Sequence, residues 1–251
     1  MEFEIWQFGV FFAAGLIGGF IDAIAGGGGL ICLPALMAMG VPPHAALATN
    51  KLQGSFGTFT ATMNFAKKGF INFKELFVGI VCTFIGACIG TVLILFIDAK
   101  FLKFLIPVLL LAIFIYTIFS PKLGEEDRQA KLSSKTFYLL FGLGLGFYDG
   151  FFGPGTGSFW TFALVGFLGL GMKKAVAQTK AFNFVSNIVS LAVFIVGGQI
   201  LWLVGLLMAV GQIVGGYLGS NMVIKKDVKF IKTMFLTMVG LTILKLIYDF
   251  I

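Results

Sequence analysis

Between Ala181 and Ile224 the chain runs 44 residues without a charged side chain. A single helix of that length would reach about 66 Å at roughly 1.5 Å per residue, twice the roughly 30 Å hydrocarbon core of a bilayer. The run therefore predicts two membrane spans that turn near Gly197-Gly198-Gln199, where glycine interrupts the apolar pattern. Other uncharged runs are Ile5–Ile21, Ala23–Asn50 (with the titratable His44), Leu52–Ala66, Leu76–Ile97, Phe104–Pro121, Thr136–Tyr148 and Gly150–Met172, and Lys232–Phe250 closes the chain. Composition agrees: of 251 residues 59% are hydrophobic and only 12% charged, about half the charged share of a soluble domain. Such a chain cannot hide its apolar surface in water. In lipid the backbone must satisfy its own hydrogen bonds, which leaves helices or a closed barrel. A barrel would need short alternating segments, and none occur. The expected fold class is an all-α integral membrane protein.

The net charge of +7 does not predict a nucleic-acid partner, because the lysines form no soluble basic face and membrane proteins are basic for their own reasons. The first segment is read as membrane-embedded, not as a signal peptide: Glu2 and Glu4 precede it with no Lys or Arg, and Asp22 interrupts it. Cys32, Cys82 and Cys88 lie in apolar runs without metal-type spacing and read as small buried hydrophobes. No metal or other cofactor is expected.

The halves of the chain match. Phe20-Ile21-Asp22, then Gly26 and Gly28, corresponds to Phe147-Tyr148-Asp149, then Gly153 and Gly155. Thr49 and Gln53 correspond to Thr179 and Asn183 at a slightly different offset, and Lys100-Phe101-Leu102-Lys103 to Lys229-Phe230-Ile231-Lys232. The expected organisation is a first transmembrane repeat over 1–119, a linker over 120–136 and a second repeat over 137–251. Internal repeats of this kind are a common plan for transporters. If residues 5–40 and 137–170 are each a broken hairpin that enters and leaves on one side, followed by three crossings, the second repeat is inverted. Lys67, Lys68, Lys74, Lys122, Arg128, Lys131, Lys135, Lys173, Lys174, Lys225, Lys226, Lys229 and Lys232 then share one side, with only Lys100 and Lys103 opposite. With eight single crossings, 122–135 and 67–74 would fall opposite 173–174 and 225–232, and most of that bias would vanish. The positive-inside rule thus predicts two inverted repeats in the plasma membrane, with the termini outside and the linker cytoplasmic.

Three features could carry chemistry. Gly26–Gly29 and Gly153-Pro154-Gly155-Thr156-Gly157 break the first helix of each repeat. Glycine lets the chain leave the helix at depth, and the next helix aims its N-terminal amides at the break, a place for an anion. Close helix packing through small residues is the alternative, and no Gly-Lys-Ser/Thr follows that would make it a phosphate loop. The helix after each break carries a polar stripe: Thr49, Gln53, Thr60 and Asn64, then Thr179, Asn183, Ser186, Asn187 and Ser190. It reads as the wall of a substrate path or as interhelical hydrogen bonding. Lys51 and Lys180 sit inside apolar runs, each about six residues into its helix, and either offset an anion's charge or snorkel to the headgroups. By the threonine alignment they are not counterparts, since Asn50 falls opposite Lys180. Asp22 and Asp149 do align; each could pair with a lysine, cap the broken helix or relay a proton. His44 reads as an interfacial loop residue. An intramembrane protease is not supported, because neither Gly-x-Gly-Asp nor Gly-x-Ser-Gly occurs, so no catalytic residue is assigned.

Gly18-Gly19-Phe20-Ile21-Asp22 leading into Gly26–Gly29, Pro34 and Ala48-Thr49-Asn50-Lys51-Leu52 resembles the first repeat of the TauE/SafE sulfite exporter family. The second repeat, with Gly153–Gly157 and Gln178-Thr179-Lys180, is similar too. The resemblance implies a multi-pass transporter of sulfite or a small organosulfur anion, with Thr49, Asn50, Lys51, Thr179 and Lys180 in or near the site. Together with the breaks and stripes, the candidate substrate-binding set is Gly27, Gly28, Gly29, Thr49, Asn50, Lys51, Gln53, Gly155, Thr156, Gly157, Gln178, Thr179, Lys180 and Asn183, with Asp22 and Asp149 coupling to protons or shaping the breaks. The expected partners are a small anion and the lipid bilayer. Pairing of two copies, a passive anion channel, and a membrane scaffold without transport activity stay open at this level.

Overall fold

The computed structural model describes residues 3–98, 100–101, 129–227, 229–230, 233 and 237, and the regular structure there is all helical. In chain order the helices are α1 (Ile5–Ala25), α2 (Gly29–Ala38), α3 (Pro43–Lys67) and α4 (Phe73–Leu95). Then come α5, built of Ser134–Phe137, a π-helical turn Tyr138–Gly142 and Leu143–Phe151, followed by α6 (Thr156–Phe167), α7 (Met172–Gly197) and α8 (Trp202–Lys225). The expected third crossing of each half, Phe104–Pro121 and Lys232–Phe250, falls outside the described residues or on scattered ones, and so does most of the 120–136 linker. Helices α1, α4, α7 and α8 are long and apolar enough to cross a membrane. Helix α3 has the length, but its polar stripe lowers its hydropathy.

Local signals set the boundaries. Helix α1 runs through Asp22 and ends at Gly26, whose φ of +74° is open to glycine and whose amide returns to the Asp22 carbonyl at 2.8 Å. Proline at the first position starts α3, so His44 stands in the first helical turn and not in a loop. Asn72 caps α4, its side-chain oxygen accepting from the Lys74 amide at 3.2 Å. Helix α7 stops at Gly198, φ +66°, where the long uncharged run was expected to turn. Because α3 and α7 start upstream of the expected points, Lys51 and Lys180 are each the ninth residue of their helix, deeper than the sequence spacing implied.

Glycines bring the helices together. Gly15 and Gly19 of α1 lie against the backbone of Met208 and Gln212 on α8, and Gly211, Gly215 and Gly219 of α8 lie against Phe12, Leu16 and Phe20. In the other half Gly86 and Gly90 of α4 lie against Leu143 and Phe147 on α5, and Gly146 and Gly150 lie against Thr83 and Ala87. Lipid tails supply no hydrophobic drive between helices, so this close backbone approach is what binds them. The contacts also fix direction. Residue numbers rise together along α1 and α8, and along α4 and α5, so each pair is parallel. Helix α3 runs parallel to α8, with Thr49 accepting from the Leu201 amide and Asn64 donating to Ser220. Helix α7 runs parallel to α4, with Thr91 bonded to Ser190 and Gly79 against Phe182. Helices α3 and α7 cross antiparallel: Gly54 meets Asn187 while Phe59 meets Phe184. The contacts are reciprocal: α1 lies on α8 as α5 lies on α4, and α3 on α8 as α7 on α4. One consequence is that Lys67, Lys68, Lys74, Lys135, Lys173, Lys174, Lys225 and Lys226 gather at one end, where the Lys173 ammonium donates to the Ile224 carbonyl at 3.3 Å.

Candidate functional site

The two helix breaks meet in the middle of the bundle. Gly26 lies against Gly157, and Gly29 against Pro154, with backbone so close that a Cβ on Gly26 or Gly157 would overlap its neighbour. The Ser158 hydroxyl donates to the Ala25 carbonyl at 2.7 Å, tying the start of α6 to the end of α1. Helices α2 and α6 therefore point their N-termini at a common space. Among the described residues no protein acceptor serves the amides of Gly27, Gly29, Gly155 and Gly157.

Two ion pairs flank this space, and each links one half of the chain to the other. The Lys51 ammonium on α3 contacts Asp149 Oδ1 on α5 at 2.7 Å and also donates to the Asp149 carbonyl. The Lys180 ammonium on α7 contacts Asp22 Oδ2 on α1 at 3.0 Å and also donates to the Asp22 carbonyl. Each lysine thus neutralises a carboxylate and covers a carbonyl in the last turn of a broken helix, where a cation is favoured. The remaining carboxylate oxygens are also used: Asp149 Oδ2 accepts from the Ser186 hydroxyl, and Asp22 Oδ1 from the Gly28 amide at 3.3 Å. Lys51 and Lys180 are 1% and 0% exposed, so neither snorkels. Their reciprocal roles make them counterparts, which corrects the threonine-based alignment: the repeats register on the lysines. The lysine offset also relates the start of α3 to that of α7 and Gly86 and Gly90 to Gly215 and Gly219.

The space between the pairs is a polar cavity of about 40 Å³, room for a few waters where one needs roughly 10–15 Å³. Of the expected residues, Gly28, Gly29, Asn50, Lys51, Gln53 and Asp22 reach it from the first half. From the second half come Gly155, Gly157, Asn183 and Asp149. The others are placed around it. Gly27 lies against the side chains of Ile21 and Leu30, and Thr49 serves the Leu201 amide on the α7–α8 turn. The Thr156 hydroxyl donates to the Gly153 carbonyl, and Thr179 pairs with Thr161 at 3.2 Å. Gln178 is buried with its side-chain oxygen unpaired, and Lys180 reaches the cavity only through Asp22. The stripe residues Asn64 and Ser190 are interhelical bonds, to Ser220 and Thr91. The cavity also takes Gly54, Thr58, Asn187 and Gln212, which the candidate set lacked. Gln212 donates weakly to the Cys32 sulfur at 3.5 Å. It had a signal: it is the single long polar side chain inside the α8 run.

Two buried polar side-chain atoms on the cavity wall lack a partner. The amide oxygens of Gln53, 1% exposed, and Asn183, 5% exposed, have no hydrogen-bond partner, and both residues line the cavity. A buried amide left unpaired costs about 1–3 kcal/mol. The arrangement suits a small ligand that would satisfy the orphan groups.

A family model described as sulfite exporter TauE/SafE matches residues 11–246. A Haemophilus influenzae protein described as a probable membrane transporter protein is 46% identical over 99% of this chain and 98% of its own length. The Escherichia coli K12 protein described as probable membrane transporter protein YfcA is 43% identical over 96% of this chain and 90% of its own. A Sinorhizobium protein described as probable membrane transporter protein ORF9 is also 43% identical, over 88% and 85%. No solved structure matches the chain.

Proposed function

The chain belongs to the sulfite exporter TauE/SafE family of membrane transporters, and we propose that it is a secondary transporter that moves a small anion, sulfite or a related organosulfur anion, across the plasma membrane by alternating access. The observation that carries this reading is the central cavity between the N-termini of α2 and α6, with unused glycine amides and a buried ion pair on each side. Converging helix N-termini favour negative charge. The site is assigned to Gly29, Gly155 and Gly157 as amide donors, with Asn50, Gln53 and Asn183 as side-chain contacts. Lys51 with Asp149, and Lys180 with Asp22, hold the broken helices in place and tie the halves together.

We read the halves as inverted repeats, 1–119 and 137–251, around a cytoplasmic linker at 120–136. Helices α1, α3 and α8 run together and α4, α5 and α7 run opposite, so α1, α3 and α4 oppose their counterparts α5, α7 and α8; this direction supports the reading. The lysine-rich end supports a cytoplasmic placement of that end, with the N-terminus outside. Alternating access then consists of one half rocking on the other about the cavity. Uptake of sulfite, sulfate, thiosulfate and a sulfonate into proteoliposomes, with and without a pH gradient, tests the function. Saturable uptake of a sulfur oxyanion, faster under the gradient, is expected. Folded protein that moves none of them would refute the substrate class.

A further inference from the structure

The charges at the central cavity sum to about zero. Lys51 and Lys180 cancel Asp149 and Asp22. The C-terminal ends of α1 and α5, each about half a negative charge, cancel the N-terminal ends of α2 and α6, each about half a positive one. If the cavity is an anion site, the reading on which this inference rests, the anion must be accompanied by one positive charge. A proton on one of the two carboxylates supplies it, and both carboxylates line the cavity.

The two carboxylates are counterparts, but they are not equally closed. Asp149 holds Lys51 on Oδ1 at 2.7 Å and the Ser186 hydroxyl on Oδ2, and its side chain is 5% exposed. Asp22 holds Lys180 on Oδ2 at 3.0 Å, and its side chain is 16% exposed. Among the described residues its Oδ1 takes the Gly28 amide alone, at 3.3 Å. In the register set by the lysines the counterpart of Ser186 is Gly57, which has no hydroxyl. The Gln212 side-chain oxygen occupies the place of a Cβ on Gly57 instead. A proton on Asp149 Oδ2 would displace the Ser186 hydroxyl, whereas one on Asp22 Oδ1 gives up a single long bond. From the elements packed on α1, this carboxylate meets the Lys180 ammonium of α7, the Lys51 ammonium of α3 across the cavity, and the Cys32 thiol of α2 against Gly18. Helices α8 and α6 add Gln212 and Ser158, both uncharged. The other ionisable side chains of these helices sit at helix ends or face outward, as the exposed Tyr217 does.

We propose that Asp22 carries a coupling proton: it takes up one proton for each singly charged anion that binds, while Asp149 stays ionised with Lys51. The proton comes from water on the side to which the cavity is open. Lys180 keeps its own proton and its bond to the Asp22 carbonyl, so the end of α1 stays covered and the ammonium charge is left for the anion. Proton and anion leave together on the far side, and the cycle moves no net charge. The unpaired oxygens of Gln53 and Asn183 on the same wall call for a hydrogen donor, which a protonated carboxyl or its water supplies.

Methanesulfonate, which keeps its single charge and carries no proton of its own through the neutral range, is the first probe; sulfite, with its own proton subtracted, is the second. Protons taken up per anion are counted by titration calorimetry of the purified protein in buffers of different ionisation heat. The parent is expected to take up about one, its affinity falling about tenfold for each unit rise in pH. Asp22→Asn is expected to bind with no proton uptake and an affinity flat with pH, and its uptake into proteoliposomes no longer responds to a pH gradient. Two charge-balanced double variants give the answer if the single one does not fold. Asp149→Asn with Lys51→Gln is expected to keep the proton count of about one. Asp22→Asn with Lys180→Gln is expected to bind weakly and without pH dependence. A parent that binds either probe without proton uptake overturns the coupling and leaves the anion site standing. Proton uptake that survives in Asp22→Asn, or in its double variant, overturns the assignment to Asp22. Folded parent protein that neither binds nor moves either probe overturns the anion site itself.

Discussion

Lys51 and Asp149 show what a buried charge requires of its surroundings. An ammonium at 1% exposure and a carboxylate at 3% are tolerated because each closes the other's hydrogen-bonding needs, with Ser186 and the Asp149 carbonyl completing the set. Removing one partner leaves the other buried and unpaired, which costs about 3–5 kcal/mol, whereas replacing both by apolar groups is often neutral. Asp149→Asn alone is therefore expected to lower stability by that amount, and Lys51→Met with Asp149→Leu to recover most of it. Thermal unfolding of the detergent-solubilised protein reads this directly. A double variant as unstable as the single one would contradict the pairing. At this scale much of the site was legible, since the lysines, aspartates and glycine breaks stand out in apolar runs. Their partners were not: a threonine match put the repeats one residue out of step, and only contact across the two halves shows that Lys51 answers Lys180.

Between helices, glycine placement governs how close two axes come. Gly90 of α4 and Gly215 of α8 face carbonyl oxygens of Phe147 and Leu16, where no side chain fits. Gly90→Leu and Gly215→Leu are each expected to destabilise by about 1–3 kcal/mol or more, because the overlap is with backbone and cannot be relieved by a rotamer change. Gly144 of α5 has nothing within 4 Å of an added Cβ, so Gly144→Ala is expected to be neutral or to stabilise by up to about 1 kcal/mol through helix propensity. Melting curves of the three variants separate packing from backbone freedom; equal losses at all three would refute the assignment. The break after α1 and the turn at Gly198 follow from glycine placement. The π-helical turn Tyr138–Gly142 and the early starts of α3 and α7 do not, since they depend on how α5 seats on α4 and on helical turns that begin before the apolar run does.

Across the whole molecule the two halves hold each other: α1 is seated on α8, α5 on α4, and the ion pairs cross between them. Neither half could keep its lysine buried without the other's aspartate. This mutual dependence is invisible to a pattern read along one helix, whereas the lysine bias that predicts orientation is a sum over loops and needs no contacts. Lys68 and Lys135 belong to the lysine-rich end, and Lys100 follows the opposite end of α4. In a background with Cys32, Cys82 and Cys88 replaced, Lys100→Cys is expected to react with a membrane-impermeant thiol reagent added to intact cells. Lys68→Cys and Lys135→Cys are expected to react only after the membrane is opened. Labelling of both of these from outside, with Lys100→Cys protected, would reverse the orientation and keep the repeats. Labelling of Lys68→Cys and Lys135→Cys from opposite sides would break the inverted repeat itself, because the parallel seating of α5 on α4 requires the starts of these two helices to share one face of the membrane.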